Sequence, residues 1–171
     1  VRAGHRLPVR PEDDARDAAP ELVGLLQASE AGTREKAASA LGSVGVPTAA
    51  IPLLVELLQD PSPRVRSRAA YALRNTANPR IVVPRLIAAL QDSSDDVVVD
   101  AAIALGKAGQ GEPGEASAAL AQLLASDRPE WIKAEAARAL GDIGRGADVA
   151  VPALITAVSS EDASLREAAV W

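Results

Sequence analysis

Apolar residues recur along the chain in two alternating helical patterns. In the first they fall at i, i+3 and i+4, as in Leu22/Leu25/Leu26, Leu54/Leu57/Leu58 and Leu120/Leu123/Leu124, which is one stripe of an α-helix. The second uses smaller residues in the same rhythm: Val65/Ala69/Ala72/Leu73, Val97/Ala101/Ala104/Leu105 and Ile132/Ala136/Ala139/Leu140. Alanine at these steps allows neighbouring helices to approach closely. Polar turns separate the two patterns, QDPSP at 59–63 and QDSSD at 91–95, and their Asp, Pro and Ser residues are expected to stop one helix and cap the next. Gly42, Gly106 and Gly141 share one equivalent position and Gly45, Gly109 and Gly144 another. Both positions are predicted to mark the end of the second helix, where the chain turns back.

The two patterns form one unit that repeats. A leucine-led block recurs at Leu22, Leu54, Leu86, Leu120 and Leu154, spaced 32, 32, 34 and 34 residues apart, and a period in that range means a solenoid. The predicted fold is therefore all-α, a right-handed α-solenoid (alpha-alpha superhelix) of stacked antiparallel helix pairs with few or no β-strands. Residues 1–17 are expected to be a loosely packed leader or the remnant of a preceding repeat. The array proper is expected over 18–171, divided at about 18–50, 51–82, 83–116, 117–150 and a truncated 151–171. Because the chain starts with Val and Trp171 falls where equivalent helices continue, a fragment of a longer array is expected. The stretch 106–117 carries two residues more than its equivalents and is predicted to be the longest inter-repeat loop.

The blocks IPLLVELLQDPSPRVRSRAAYALR and VPRLIAALQDSSDDVVVDAAIALGKAG resemble HEAT repeats, specifically the short bacterial type also found in phycobilin lyases, and the resemblance spans residues 19–171. It implies a polar ladder along the stack, formed by an aspartate in the inter-helix turn and a basic residue six positions later. Asp60 with Arg66 and Asp127 with Lys133 keep that pattern, whereas Ala28/Arg34, Asp92/Val98 and Ser160/Arg166 each lose one member.

Composition narrows the chemistry. Aromatics are only 2% and Phe is absent although 48% of residues are hydrophobic, so Leu, Val, Ile and Ala must fill the spaces between helices, each repeat burying its face on its neighbours. With no cysteine, disulfides and thiolate metal sites are excluded. The single histidine, His5, lies in the leader, so neither a zinc site nor a Ser-His-Asp triad is assembled from this chain. GDIGRG at 141–146 has the glycine spacing of a phosphate loop, but it follows a helix and lacks Gly-Lys-Ser/Thr. Helix termination is the better reading. The carboxylates Glu12/Asp13/Asp14 and Asp95/Asp96 lack the alternating spacing of a calcium loop. No catalytic, cofactor or metal residue is thus expected, and neither is an enzymatic activity of this chain. A membrane span is not expected, since no apolar run approaches the roughly 20 residues one requires, and the absence of a signal-like segment leads to a cytoplasmic expectation.

What remains is the surface. Helix geometry turns Ser67, Arg68, Ala70, Tyr71 and Asn75 away from the core stripe of their helix, and in HEAT-like stacks these positions line the concave face. Carried copy by copy, they are Glu35, Lys36, Ser39 and Ser43; Arg68, Tyr71 and Asn75; Val99, Asp100, Ile103 and Lys107; Glu135, Arg138 and Asp142; and Glu167, Val170 and Trp171. The row Ser39, Tyr71, Ile103, Arg138, Trp171 contains the residue types that anchor protein interfaces. Trp171 fits a contact role as well as burial by a further repeat, and Trp131 is read as a cap of the fourth repeat. Six arginines (Arg64, Arg66, Arg68, Arg74, Arg80, Arg85) stand without an acid in 61–90 and are followed by Asp92, Asp95, Asp96 and Asp100. Either they pair with those aspartates, or they form a basic patch that steers an acidic segment of a protein or extended peptide of patterned charge. Nucleic acid is disfavoured because a phosphate backbone wants a continuous basic stripe. The leading expectation is a non-catalytic scaffold that binds protein or peptide along its concave face. The alternatives are a repeat domain of a phycobilin lyase, or an accessory domain of a larger enzyme, RNA-modifying or multi-haem, whose other domains become the partners.

Overall fold

The computed structural model describes residues 19–76 and 78–170. The leader with His5, and Trp171, therefore lie outside the described residues. Ten α-helices occur among the latter: α1 Ala19–Leu25, α2 Ala31–Val44, α3 Ile51–Leu57, α4 Pro63–Ala72, α5 Pro79–Ala89, α6 Asp95–Ala108, α7 Pro113–Leu124, α8 Glu130–Ile143, α9 Val151–Val158 and α10 Ala163–Ala168. Odd-numbered helices carry the leucine stripe and even-numbered ones the alanine stripe, giving five consecutive pairs with no β-strand among the described residues. We call the two kinds A and B.

The leading leucines set the core. Leu54, Leu86 and Leu120 are fully buried with Leu26, Leu41, Leu73, Leu105, Ile132 and Leu140, each contributing roughly 1.5–3 kcal/mol by leaving water. Leu22 and Leu154, in the first and last described pairs, are only half-buried. That contrast is the signature of a stack in which each unit is covered by its neighbours.

Small residues decide how the stack bends. Ala37, Ala38, Ala69, Ala70, Ala101, Ala102, Ala136 and Ala137 are all buried on B helices, and each B helix packs extensively on the next one, whereas A helices touch one another slightly. Close spacing on one side and looser spacing on the other curves the array towards its B face. Gly42 and Gly106 belong to this seam. They lie inside α2 and α6, not beyond their ends as expected, and a Cβ on them would stand 3.1 Å from Cα of Ala72 and 3.0 Å from Cα of Ala139. Only Gly45 and Gly144 act as the predicted terminators through positive φ, 107° and 70°. In the second copy the seam glycine is replaced by Arg74, and there the B helix ends early, at Ala72, continuing as a 3-10 turn over Leu73–Asn75.

Two local expectations are corrected. The stretch 106–117 is not the longest loop: α6 runs to Ala108 and α7 begins at Pro113, leaving 109–112 as the connection, while 144–150 separates α8 from α9. The added residues lengthen α7, which Pro113 starts at the position where its fixed φ suits a first turn. Likewise α5 starts at Pro79 and carries Pro84 inside it. The turn serines do not cap either. Ser62 and Ser94 make no side-chain cap bond; Asp60 and Asp92 instead accept the N–H of Ser62 and Ser94, both at 2.8 Å, which is an Asx turn. Asp162 alone among the described N-caps closes on its helix, accepting Leu165 N–H at 2.9 Å.

Candidate functional site

Two polar systems are built on this frame, one at the A–B turns and one on the B face. At the turns, Arg34 donates through Nε and Nη2 to Asp60 at 2.7 and 3.1 Å and through Nη1 to the carbonyls of Ala28 and Ser29. Arg66 repeats this on Asp92, at 2.7 and 2.8 Å, and on the Asp60 carbonyl at 2.9 Å. Each arginine therefore ties the end of its own A helix to the aspartate of the next copy. The ladder runs between copies, so Arg34 and Asp92, which look orphaned within their own copies, are both paired. Burial alone would raise the carboxyls of Asp60 and Asp92, but the arginine hydrogen bonds, the serine N–H and the nearby guanidinium charges hold both below the usual carboxylate range.

The fourth copy departs from the pattern. Lys133 pairs with Glu130 at 3.2 Å and Asp127 is exposed. In the third copy Val98 is buried where a base was expected, and Arg128 of the fourth copy replaces the missing donor, reaching the Asp92 carbonyl and Asp95 at 2.7 Å each. Sequence reasoning missed Arg128 because it lies outside the spacing that identified the others. This turn system holds copies together and leaves its charges neutralised, which makes it structural.

The B face is different. Arg68, Asn75, Lys107, Arg138 and Asp142 are exposed and Tyr71, Val99, Ile103 and Glu135 half-buried, with one turn of helix between successive members on each B helix. The structure thus brings nine of the ten expected contact residues onto one curved surface; the tenth, Trp171, lies outside the described residues. Part of the face is internally paired: Lys107 with Asp142 at 2.9 Å across copies, and Arg138 with Glu135 at 2.9 Å along one helix. Arg74 lays its guanidinium over the Tyr71 ring at 3.6 Å, stiffening the aromatic, and its buried Nη1 has no hydrogen-bond partner.

The six arginines of 61–90 separate into classes that sequence left open. Arg66 is in the ladder, Arg74 is stacked on Tyr71, and Arg80 pairs with Glu112 at the surface. Arg85 is exposed on the A helix α5. Arg64 and Arg68 line a cleft of about 380 Å³ together with Glu35, Ser67, Asp96, Val99 and Asp100. Asp100 accepts the hydroxyl hydrogen of Ser67, and burial, with the nearby charge of Asp96, pushes its carboxyl up despite that bond and the charges of Arg68 and Arg74.

Trp131 is the residue the sequence misassigned. It belongs to the first turn of α8, 52% exposed, and sits one helical turn ahead of Glu135 in the row that contains Arg64 and Asp96. It stands 35 residues after Asp96, which stands 32 after Arg64, and that three-residue offset hid the register. Among the described residues no group of His, Asp or Glu could hold a metal ion, and no helix is long and apolar enough to cross a membrane.

Comparison with known proteins agrees with this architecture. The family model described as HEAT repeats matches residues 9–74, 51–141 and 117–171. No curated protein matches the sequence. Among solved structures, an engineered protein is 28% identical with a TM-score of 0.67, covering 88% of this chain and 76% of its own. A designed armadillo repeat protein in complex with the peptide (KR)4 is 19% identical, with a TM-score of 0.71 and 92% and 83% coverage. Armadillo repeat proteins computationally designed for modular peptide recognition give 20% identity, a TM-score of 0.66 and 92% and 82% coverage.

Proposed function

Because this chain belongs to the HEAT-repeat family, we propose that it is a scaffold that binds an extended protein segment along its concave B face, and that it works by geometry and charge without chemistry of its own. The observation that carries the reading is the contrast between the two polar systems. Ladder charges are paired and partly buried, while Arg64, Arg68, Asp96 and Trp131 on the B helices stand exposed in one register with Tyr71 and Ile103. Exposed charges and half-exposed aromatics aligned over three copies suit a partner that is itself extended. The peptide-binding designs that share this fold use the same kind of scaffold, which favours a peptide over a folded partner.

Tyr71 and Ile103 act as apolar anchors, flanked by Arg68 and Arg138. Selection of a random twelve-residue peptide library against the chain, followed by hydrogen-exchange mapping of a selected binder, tests this. Protection is expected in α4, α6 and α8, and Tyr71→Ala or Ile103→Ala should weaken the binder by ~1–3 kcal/mol, a moderate hot spot. Protection confined to A helices, with no loss from either substitution, would place the functional surface on the convex side and end the proposal.

A further inference from the structure

The cleft between α4 and α6 has a charge problem that a ligand would solve. Three acids, Glu35, Asp96 and Asp100, and two bases, Arg64 and Arg68, line it, and none of the five forms an ion pair among the described residues. The bases sit at the rim, exposed. Asp100 sits deeper, half-buried, and its one hydrogen bond comes from a neutral hydroxyl. A desolvated carboxylate without a contacting cation is costly, whereas an exposed guanidinium is not. Arg68 and Arg74 lend Asp100 favourable charge, but neither reaches it as an ion pair among the described residues, so the deeper acid decides which charge the cleft attracts.

One helix further along the same row, Trp131 exposes half of its surface, and no cationic group stacks on it among the described residues. A tryptophan face is the best aromatic partner for a guanidinium. Asp96 precedes it in the row, exposed and adding negative potential, whereas Glu135, one turn along α8, is already paired with Arg138.

Resting on the concave-face reading, we propose that the partner segment is basic: an extended peptide that places one arginine or lysine in the Asp96–Asp100 cleft and a second over Trp131. Alternate residues of an extended chain face the same side about 6.5–7 Å apart, so a segment with basic residues at alternate positions offers matching side chains whatever its register. This reverses the acidic partner expected from the arginine-rich sequence of the second copy, because Arg66 and Arg80 are committed to carboxylates, Arg74 to the Tyr71 ring, and Arg85 lies on an A helix.

The full chain carrying Trp171→Phe, which leaves Trp131 as the sole tryptophan, is titrated with acetyl-(Gly-Arg)4-amide, its uncharged citrulline counterpart and acetyl-(Gly-Glu)4-amide, read by tryptophan emission and calorimetry. The arginine peptide should bind and shift Trp131 emission, with the citrulline peptide at least about tenfold weaker and the glutamate peptide weaker still. Asp100→Asn keeps an acceptor for Ser67, and Asp96→Asn removes no side-chain hydrogen bond among the described residues. Each should weaken the arginine peptide by about tenfold. Glu56→Gln removes the same charge from the exposed side of α3 and should leave Kd unchanged. Equal binding of the citrulline peptide, no binding of the arginine peptide, or losses from Glu56→Gln as large as those from Asp100→Asn and Asp96→Asn would each overturn the basic-partner proposal. If the glutamate peptide instead binds tightest and protects B helices from exchange, the concave face stands and only its basic occupant falls. Protection on A helices by any bound peptide removes both.

Discussion

The inter-copy ladder makes a stability prediction whose size follows from its geometry. In Arg66→Met the apolar stem of the side chain is kept, but Asp92 loses a two-pronged guanidinium at 2.7 and 2.8 Å and the Asp60 carbonyl loses a donor at 2.9 Å. The Arg66 and Asp92 side chains are 14% and 12% exposed, closer to the buried limit, where breaking one partner costs about 3–5 kcal/mol, than to the surface limit of about 0–1 kcal/mol. Asp92 keeps the Ser94 N–H, which brings the expected loss to about 2–3 kcal/mol. With a urea slope of about 2 kcal/mol/M, the midpoint by far-UV circular dichroism should fall by about 1–1.5 M. Because coupling in a repeat array is nearest-neighbour, loosening the joint between the second and third copies should also lower the slope. Arg80→Met is the internal control. Its pair with Glu112 has the same 2.8 Å contact but an 88% exposed arginine, and it should cost under about 0.5 kcal/mol. Equal midpoints for the two variants, within about 0.2 M, would refute the argument that burial and not contact distance sets the worth of these pairs.

Four further outcomes are expected. Gly114→Ala, in α7 with nothing within 4 Å of the added methyl, should raise stability by about 0.5–1 kcal/mol. Gly109→Ala, whose Cβ would meet the Leu105 carbonyl at 2.5 Å and Ala116 Cβ at 2.7 Å, should lower it by about 1–3 kcal/mol, both read as melting temperature. Leu86→Ala at the centre of the array should cost about 2.7–5 kcal/mol, whereas Ile155→Ala, 66% exposed on α9, should change the urea midpoint by less than about 0.5 kcal/mol equivalent. As for pH, the folded carboxyls of Asp60 and Asp92 lie below the ordinary value of 3.8, so their stabilisation is present above 3.8 and is lost as pH falls through the folded values. Asp100 has the opposite sign: its folded value is raised, so its contribution is most favourable below 3.8 and declines as pH rises through the raised value. Urea midpoints between pH 3 and 7 should therefore show a shallower acid limb in Asp92→Asn and a gain towards neutral pH in Asp100→Asn.

Repetition made the fold legible in advance. Helix periodicity and a period of 32–34 residues identified two helices per unit, the all-α stack and the face that Arg68, Tyr71, Ile103 and Arg138 share, because which side of a helix a residue occupies is fixed by local spacing alone. What spacing could not determine was which residues meet across copies. Arg34 and Asp92 looked unpaired because their partners lie 26 residues away in each case, and Arg128 acquired a role in another copy's turn. Gly42 and Gly106 looked like helix ends because the sequence does not show the neighbouring helix that approaches them. Trp131, read as a cap, falls in the first turn of α8 with half of its surface exposed. The sequence left six arginines either pairing with nearby aspartates or forming one basic patch until packing committed Arg66 to the ladder, Arg74 to Tyr71 and Arg80 to Glu112, leaving Arg64 and Arg68 beside a half-buried aspartate. Local spacing decides the elements and their faces, but the sign and availability of charge on a surface depend on which neighbours neutralise it, and those neighbours are chosen only when the copies stack.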